Sequence, residues 1–138
     1  MTPNDIFNLW QDAFRRRDLH ALADLYSETA VMESPMAGGT IMGRDAIISA
    51  HESLFAAVPN VVQTFEPPLV DENRLGFVVE MAGNHSGTVM GLPPTGRPFR
   101  FNCAFLFDLR DGRITRDRRI YDFTGLLIQI GVLKAKPA

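Results

Sequence analysis

The feature that most constrains this chain is a two-residue turn, Asp111-Gly112, set between two β-rich runs, residues 99–109 and 114–122. Asp-Gly between such runs is the strongest short hairpin signal, because both turn positions favour residues that accept a positive φ. A tight hairpin commits this part of the chain to antiparallel sheet and sets its register. With Arg110 opposite Arg113, Asp122 faces Phe101, Ile120 faces Cys103, Arg118 faces Phe105 and Arg116 faces Phe107. Directly opposed residues share a face. One face therefore carries Phe101, Cys103, Phe105, Phe107, Ile120 and Asp122, and is the natural core face. Asn102, Ala104, Leu106 and Asp108 fall on the other, with Asp117, Arg119 and Tyr121.

Upstream, the period changes from two to about 3.6. Thr2-Pro3 supplies an N-cap and a first-turn proline, and Asp5 suits the positive end of the helix. Ile6, Leu9, Trp10, Ala13 and Phe14 then mark one buried helical face. Arg15-Arg16-Arg17 reads as a solvated helix end. Asp18 caps a second short helix, with Leu19, Leu22, Ala23 and Tyr26 inward. Residues 30–35 read as a strand, 40–42 as its return, and 44–55 as a third helix that stops before Pro59-Asn60. Residues 61–70 form a strand that Pro67-Pro68 demotes to an edge or bulge. Residues 75–85 form a long strand, 88–97 a loop, and 124–130 a closing helix. Helices first and strands later predict an α+β domain: a curved antiparallel sheet folded around about three N-terminal helices, enclosing a pocket. At 138 residues the chain suits a single domain spanning residues 1–138.

Fourteen basic residues against sixteen acidic give a net charge of −2, which offers no electrostatic footprint for nucleic acid or an anionic membrane. No apolar run approaches the roughly 20 residues that span a bilayer. The N-terminus lacks the basic start and apolar stretch of a signal peptide, so the chain reads as cytoplasmic. Cys103 is the one cysteine and reads as a small core hydrophobe. The three histidines show no metal spacing, and no glycine-rich phosphate loop precedes a helix.

Asp122 is the first candidate for chemistry. A carboxylate among phenylalanines is costly when ionised, so such a group is either paired or used to move protons. Arg118, on the same expected face, is a possible partner. The competing role for Asp122 is to cap the closing helix near Gly125, and a one-residue bulge would turn it to the other face. His85, at the end of the long strand, is a candidate acid, base or oxyanion donor. His20 and His51 fall on or beside helix surfaces. Glu33 is a possible buried acid. Glu80 lies opposite in parity to His85 and is set aside. The expected pocket walls comprise Trp10, Phe14, Tyr26, Glu33, Phe55, Met90, Phe101, Cys103, Phe105 and Ile120. The apolar outward positions Ala104, Leu106 and Tyr121 suggest a sheet-to-sheet homodimer.

The element order resembles the nuclear transport factor 2-like fold, a cone of curved sheet over helices. Residues 91–97 (Gly91-Leu92-Pro93-Pro94-Thr95-Gly96-Arg97), the Asp111-Gly112-Arg113-Ile114 hairpin and Asp122 followed by residues 125–131 resemble the SnoaL-like polyketide (ester) cyclases. That resemblance implies a small, largely apolar, enolisable substrate and acid/base chemistry without metal or cofactor, an intramolecular aldol ring closure, with isomerisation as the related reaction class. It also implies that the aspartate before the closing helix, here Asp122, is the acid/base. His85 is the nearest candidate for the family's partner histidine. The Arg116-Asp117-Arg118-Arg119 run departs from the family's last strand. Two alternatives stand beside this reading. One is an epoxide-hydrolase-like enzyme of the same fold, in which Asp122, Arg118 and Glu33 converge on a water. The other is a non-catalytic domain that binds a small apolar ligand.

Overall fold

Among the described residues, three of the four α-helices begin at a capping side chain visible in the chain, and the sheet follows from the alternation behind it. A computed structural model describes residues 1–88 and 91–134. Helix α1 (Pro3–Arg16) opens with a reciprocal cap, the Thr2 hydroxyl accepting from the Asp5 N–H and the Asp5 carboxylate from the Thr2 N–H. Helix α2 (Leu19–Leu25) is capped by Asp18, which accepts from the Ala21 N–H. Tyr26 does not continue α2. It starts β1 (Tyr26–Ser34), four residues earlier than the sequence suggests. A single tight turn (Pro35–Ala37) leads to β2 (Gly39–Met42), and α3 spans Arg44–Ala57. The prolines at 67 and 68 split the next run into two short strands, β3 (Val62–Phe65) and β4 (Leu69–Asp71), both pairing with β5 (Arg74–Asn84). Strands β6 (Pro98–Arg110) and β7 (Arg113–Ile120) make the hairpin, and α4 (Phe123–Gln129) closes the described fold.

Among the described residues one sheet runs β2-β1-β7-β6-β5-β3, with β4 added to β5. All pairings are antiparallel except β1 with β7. The inner face packs on α1–α3. Trp10 is fully buried at the centre, stacked on Phe14 at 4.6 Å and meeting Phe105 edge-on at 5.0 Å. Leu9, expected on this buried face, is 47% exposed, and Phe7 takes its place in the core.

The hairpin decides which side chains reach that face. Asp111 and Gly112 take φ 52° and 75°, the paired positive values a tight two-residue turn needs. Arg110 opposes Arg113 and Leu109 opposes Ile114, as expected. The register then slips: Asp108 opposes Arg116, leaving Thr115 as the extra residue of a bulge. The Thr115 hydroxyl donates to the Asp108 carbonyl at 3.1 Å. One extra residue moves every later side chain of β7 to the opposite face. Asp117 (0% exposed) and Arg119 (9%) are therefore buried, with Tyr121 inward beside them, while Ile120 is 57% exposed. Phe101, Cys103, Phe105 and Phe107 keep their expected inward parity, because the bulge lies on β7. The outward apolar positions expected to pair two copies change too: Tyr121 leaves that set and Ile120 joins it.

Candidate functional site

The bulge brings a polar cluster into the middle of an aromatic core. The Tyr26 hydroxyl donates to Asp117 Oδ2 at 2.6 Å and accepts from Trp10 Nε1–H at 3.2 Å. Arg119 donates to the same carboxylate twice, from Nε to Oδ1 at 3.2 Å and from Nη2 to Oδ2 at 2.9 Å. That two-point geometry is the strong form of a carboxylate–guanidinium pair. Arg119 Nη2 also meets His51 Nε2 at 2.7 Å, and His51 Nδ1 lies 2.9 Å from the Ile47 carbonyl one turn back along α3. The Arg119 guanidinium stands over the Phe105 ring at 4.9 Å, which adds cation–π attraction.

The charges in this cluster follow from burial and pairing. Burial opposes the Arg119 charge, but the Asp117 carboxylate and the Tyr26 hydroxyl more than offset it, so its pKa is raised. Burial, then the Asp117 charge, pushes the Tyr26 phenol well above its usual range. Burial, then the Arg119 charge, lowers His51 from 6.5 to about 3. His51 is therefore neutral at physiological pH. Burial pushes the Cys103 thiol up to about 12, which fits a core hydrophobe rather than a nucleophile.

Beside the cluster lies a cavity of about 330 Å³, walled by the inner face of β5–β7, by α3 and by the Pro35–Ala37 turn. Its lining is mostly apolar, with Met32, Met36, Leu54, Met81, Phe101 and Phe105. Polar atoms come from Arg119, Tyr121, Ser34, Ser53, Thr88 and Cys103, and no carboxylate is among the described wall residues. Arg119 Nε and Nη2 are occupied by Asp117 and His51. Nη1 makes no hydrogen bond among the described residues, and Arg119 is one of the residues that line the cavity. Tyr121, the residue just after β7, sits in the same wall. Its hydroxyl accepts from the Met36 N–H at 3.2 Å and lies 3.4 Å from the Ser34 hydroxyl, and burial raises its pKa. Among the described residues no group of three or more His, Cys, Asp or Glu side chains could hold a metal ion.

The structure places the residues singled out from the sequence in several different settings. Phe101, Cys103 and Phe105 stand in the cavity wall. Trp10, Phe14, Tyr26 and Phe55 are buried behind it, as core rather than lining. Asp122, Arg118, Glu33 and Ile120 are not in the cavity at all, and their expected inward positions are corrected. Asp122 is exposed and caps α4, its Oδ1 accepting from the Gly125 N–H at 2.8 Å. A Cβ at position 125 would run into that carboxylate, so the glycine and the cap go together. Arg118 lies on the outer face of the sheet. Glu33 is there too, paired with Arg116 at 3.1 Å. Met90 lies outside the described residues. Finally, His85 is 1% exposed at the end of β5 but stands apart from the cavity wall. Its Nδ1 accepts from the Thr95 N–H at 3.3 Å and lies 3.1 Å from the Thr95 hydroxyl. Glu80 faces outward and pairs with Arg100 at 3.2 Å.

The sequence alone does not single out Asp117, Arg119, Tyr121 or His51, which the structure brings to the cluster and the cavity wall. For the first three the cause is the bulge. For His51 a signal existed: it lies four residues from both Ile47 and Phe55, so all three share one helical stripe, and all three are buried.

The sequence matches the SnoaL-like polyketide cyclase family over residues 4–130. No curated protein matches. Among solved structures, the chain superposes on a proposed SnoaL-like polyketide cyclase from Jannaschia sp. CCS1 with TM-score 0.84 and 18% identity, covering 98% of this chain and 93% of that one. IdmH, a proposed polyketide cyclase from Streptomyces antibioticus, is 27% identical with TM-score 0.78, covering 95% and 99%. A protein from Catenulispora acidiphila with a ketosteroid isomerase-like fold gives TM-score 0.75 at 23% identity, covering 96% and 97%. The fold is thus the nuclear transport factor 2-like cone. No helix among the described residues is long and apolar enough to cross a membrane.

Proposed function

This chain belongs to the SnoaL-like polyketide cyclase family, and we propose that it closes a ring in a small, largely apolar, enolisable carbonyl compound held in the cavity. The observation that carries this reading is the Arg119 guanidinium. It is held through Nε and Nη2 by Asp117 and His51, its Nη1 makes no hydrogen bond among the described residues, and Arg119 lines an apolar chamber with no carboxylate in its described wall. A preorganised cation in a low-dielectric pocket stabilises an oxyanion as it develops. Arg119 binds the oxygen of the nucleophilic carbonyl, so the neighbouring carbon loses a proton to water or buffer and the enolate forms. That carbon attacks a second carbonyl carbon of the same chain. One C–C bond forms, the second C=O becomes an alkoxide, and the alkoxide takes a proton from Tyr121, which is restored from solvent. Folding both ends of one flexible substrate into the chamber supplies proximity.

In this reading Asp117 balances the charge of Arg119 and grips it from one side. Asp122 belongs to the α4 cap and His85 to the loop after β5. The substrate must be acidic at carbon, as a β-dicarbonyl is, because no carboxylate stands among the described residues of the cavity wall. The hydrolytic alternative needs two acids around a water, and Asp122, Arg118 and Glu33 do not converge. The test is ring closure of a β-keto ester carrying a second ketone placed to form a six-membered ring. The reading predicts acceleration by the wild-type protein, reduced at least about 100-fold in Arg119→Met. Equal rates in the two proteins would overturn it. Incorporation of oxygen from labelled water into product, without ring closure, would favour the hydrolase.

A further inference from the structure

The chamber depends on which way Arg119 points, and Asp117 alone does not settle that. A guanidinium gripped by one carboxylate can still swing about the contact. A second fixed partner removes that freedom, and α3 provides one.

We propose that His51 is a positioning residue: as a neutral hydrogen-bond acceptor it locks Arg119 Nη2 and thereby leaves Nη1 for the cavity. This rests on the oxyanion-binding reading of Arg119. The two contacts of His51 admit one tautomer. Nδ1 faces the Ile47 carbonyl, which can only accept, so Nδ1 carries the hydrogen. Nε2 is then a lone pair, and it faces Arg119 Nη2, which can only donate, at 2.7 Å. The opposite tautomer would set a carbonyl against a lone pair and two N–H groups against each other. The groups around the ring hold this state. Arg119 approaches from β7, with Asp117 behind it. Tyr26 from β1 and Phe14 from α1 each lie 6.1 Å away between ring centres, and Phe55 from α3 lies at 6.2 Å. A proton on Nε2 would bring two cations together in a site that is 1% exposed. His51 is too buried to touch a ligand, and it is not in the cavity wall. It acts through Arg119.

Two measurements test this. The first is nitrogen NMR of the His51 ring in the wild-type protein, where the proposal requires the Nδ1–H tautomer at neutral pH. A hydrogen on Nε2 overturns it, whatever the function of the cavity. The second uses para-nitrophenol as an enolate mimic, with its ionisation read by absorbance in the bound state. The wild-type protein should favour the phenolate. His51→Leu should weaken that preference about tenfold, the scale of one hydrogen bond to a charged group. His51→Gln, whose amide oxygen can accept from Nη2, should restore it. An unchanged preference in a folded His51→Leu overturns the positioning role. Absence of any phenolate preference in the wild type overturns the oxyanion reading of Arg119 and the functional half of this proposal with it, while the ring tautomer still decides the hydrogen bond.

Discussion

Strand β7 carries two ion pairs one residue apart, and they could hardly differ more. Arg116 meets Glu33 on the outer face at 3.1 Å, with both side chains roughly two-fifths exposed. Arg119 meets Asp117 on the inner face at 2.9 Å, with side chains 8% and 0% exposed. The outer pair is screened by water and competes with it. The inner pair has lost its hydration, so each charge depends on the other and on Tyr26 and His51. Both are guanidinium–carboxylate pairs. A single inserted residue, Thr115, decides which pair is surface and which is the wall of a chamber.

The largest expected effect comes from removing that residue. Deleting Thr115 restores an unbroken register, turns Arg116 and Arg118 inward and carries Asp117 and Arg119 out. The product should lose its cooperative thermal transition. Next is Asp117→Ala, which leaves a buried unpaired guanidinium. It should lose about 3–5 kcal/mol in denaturant unfolding. Replacing both partners, Asp117→Leu with Arg119→Met, should recover most of that stability while leaving the ring-closure activity absent, because apolar pairs often substitute for a buried ion pair without loss.

A pH effect follows from His51. Its pKa is about 3 in the folded protein against 6.5 unfolded, so between those values the unfolded chain binds more protons. Stability therefore falls as pH falls from about 6.5 towards 3, and His51→Gln should remove that part of the slope. Smaller still, Asp122→Ala should cost about 1 kcal/mol as the loss of an N-cap. Last, Glu33→Gln should change stability by less than about 1 kcal/mol, and less again in high salt.

Much of the fold was legible because its signals are local. Thr2-Pro3 with Asp5, Asp18, and Asp111-Gly112 each act within a few residues, and each stands where the sequence suggested. The alternation of Phe101, Cys103, Phe105 and Phe107 fixed the inner face of β6. The candidate site was less legible, because β7 carries charge at both parities. Arg116 and Arg118 on one side are matched by Asp117 and Arg119 on the other, so hydrophobic alternation could not choose between them. The choice lies in the bulge, and Ile114-Thr115-Arg116 holds no glycine to announce one. Asp122 illustrates the consequence. Its sequence context fits both an inward acid and a helix cap, and the slipped register leaves the cap.

The most direct test of the account compares Arg119→Met with Asp122→Asn in the ring-closure assay, each checked for a wild-type-like circular dichroism spectrum. The account predicts a loss of at least about 100-fold for the Arg119 variant and an essentially wild-type rate for the Asp122 variant. A folded Asp122→Asn protein that had lost its activity, beside an active Arg119→Met, would contradict it.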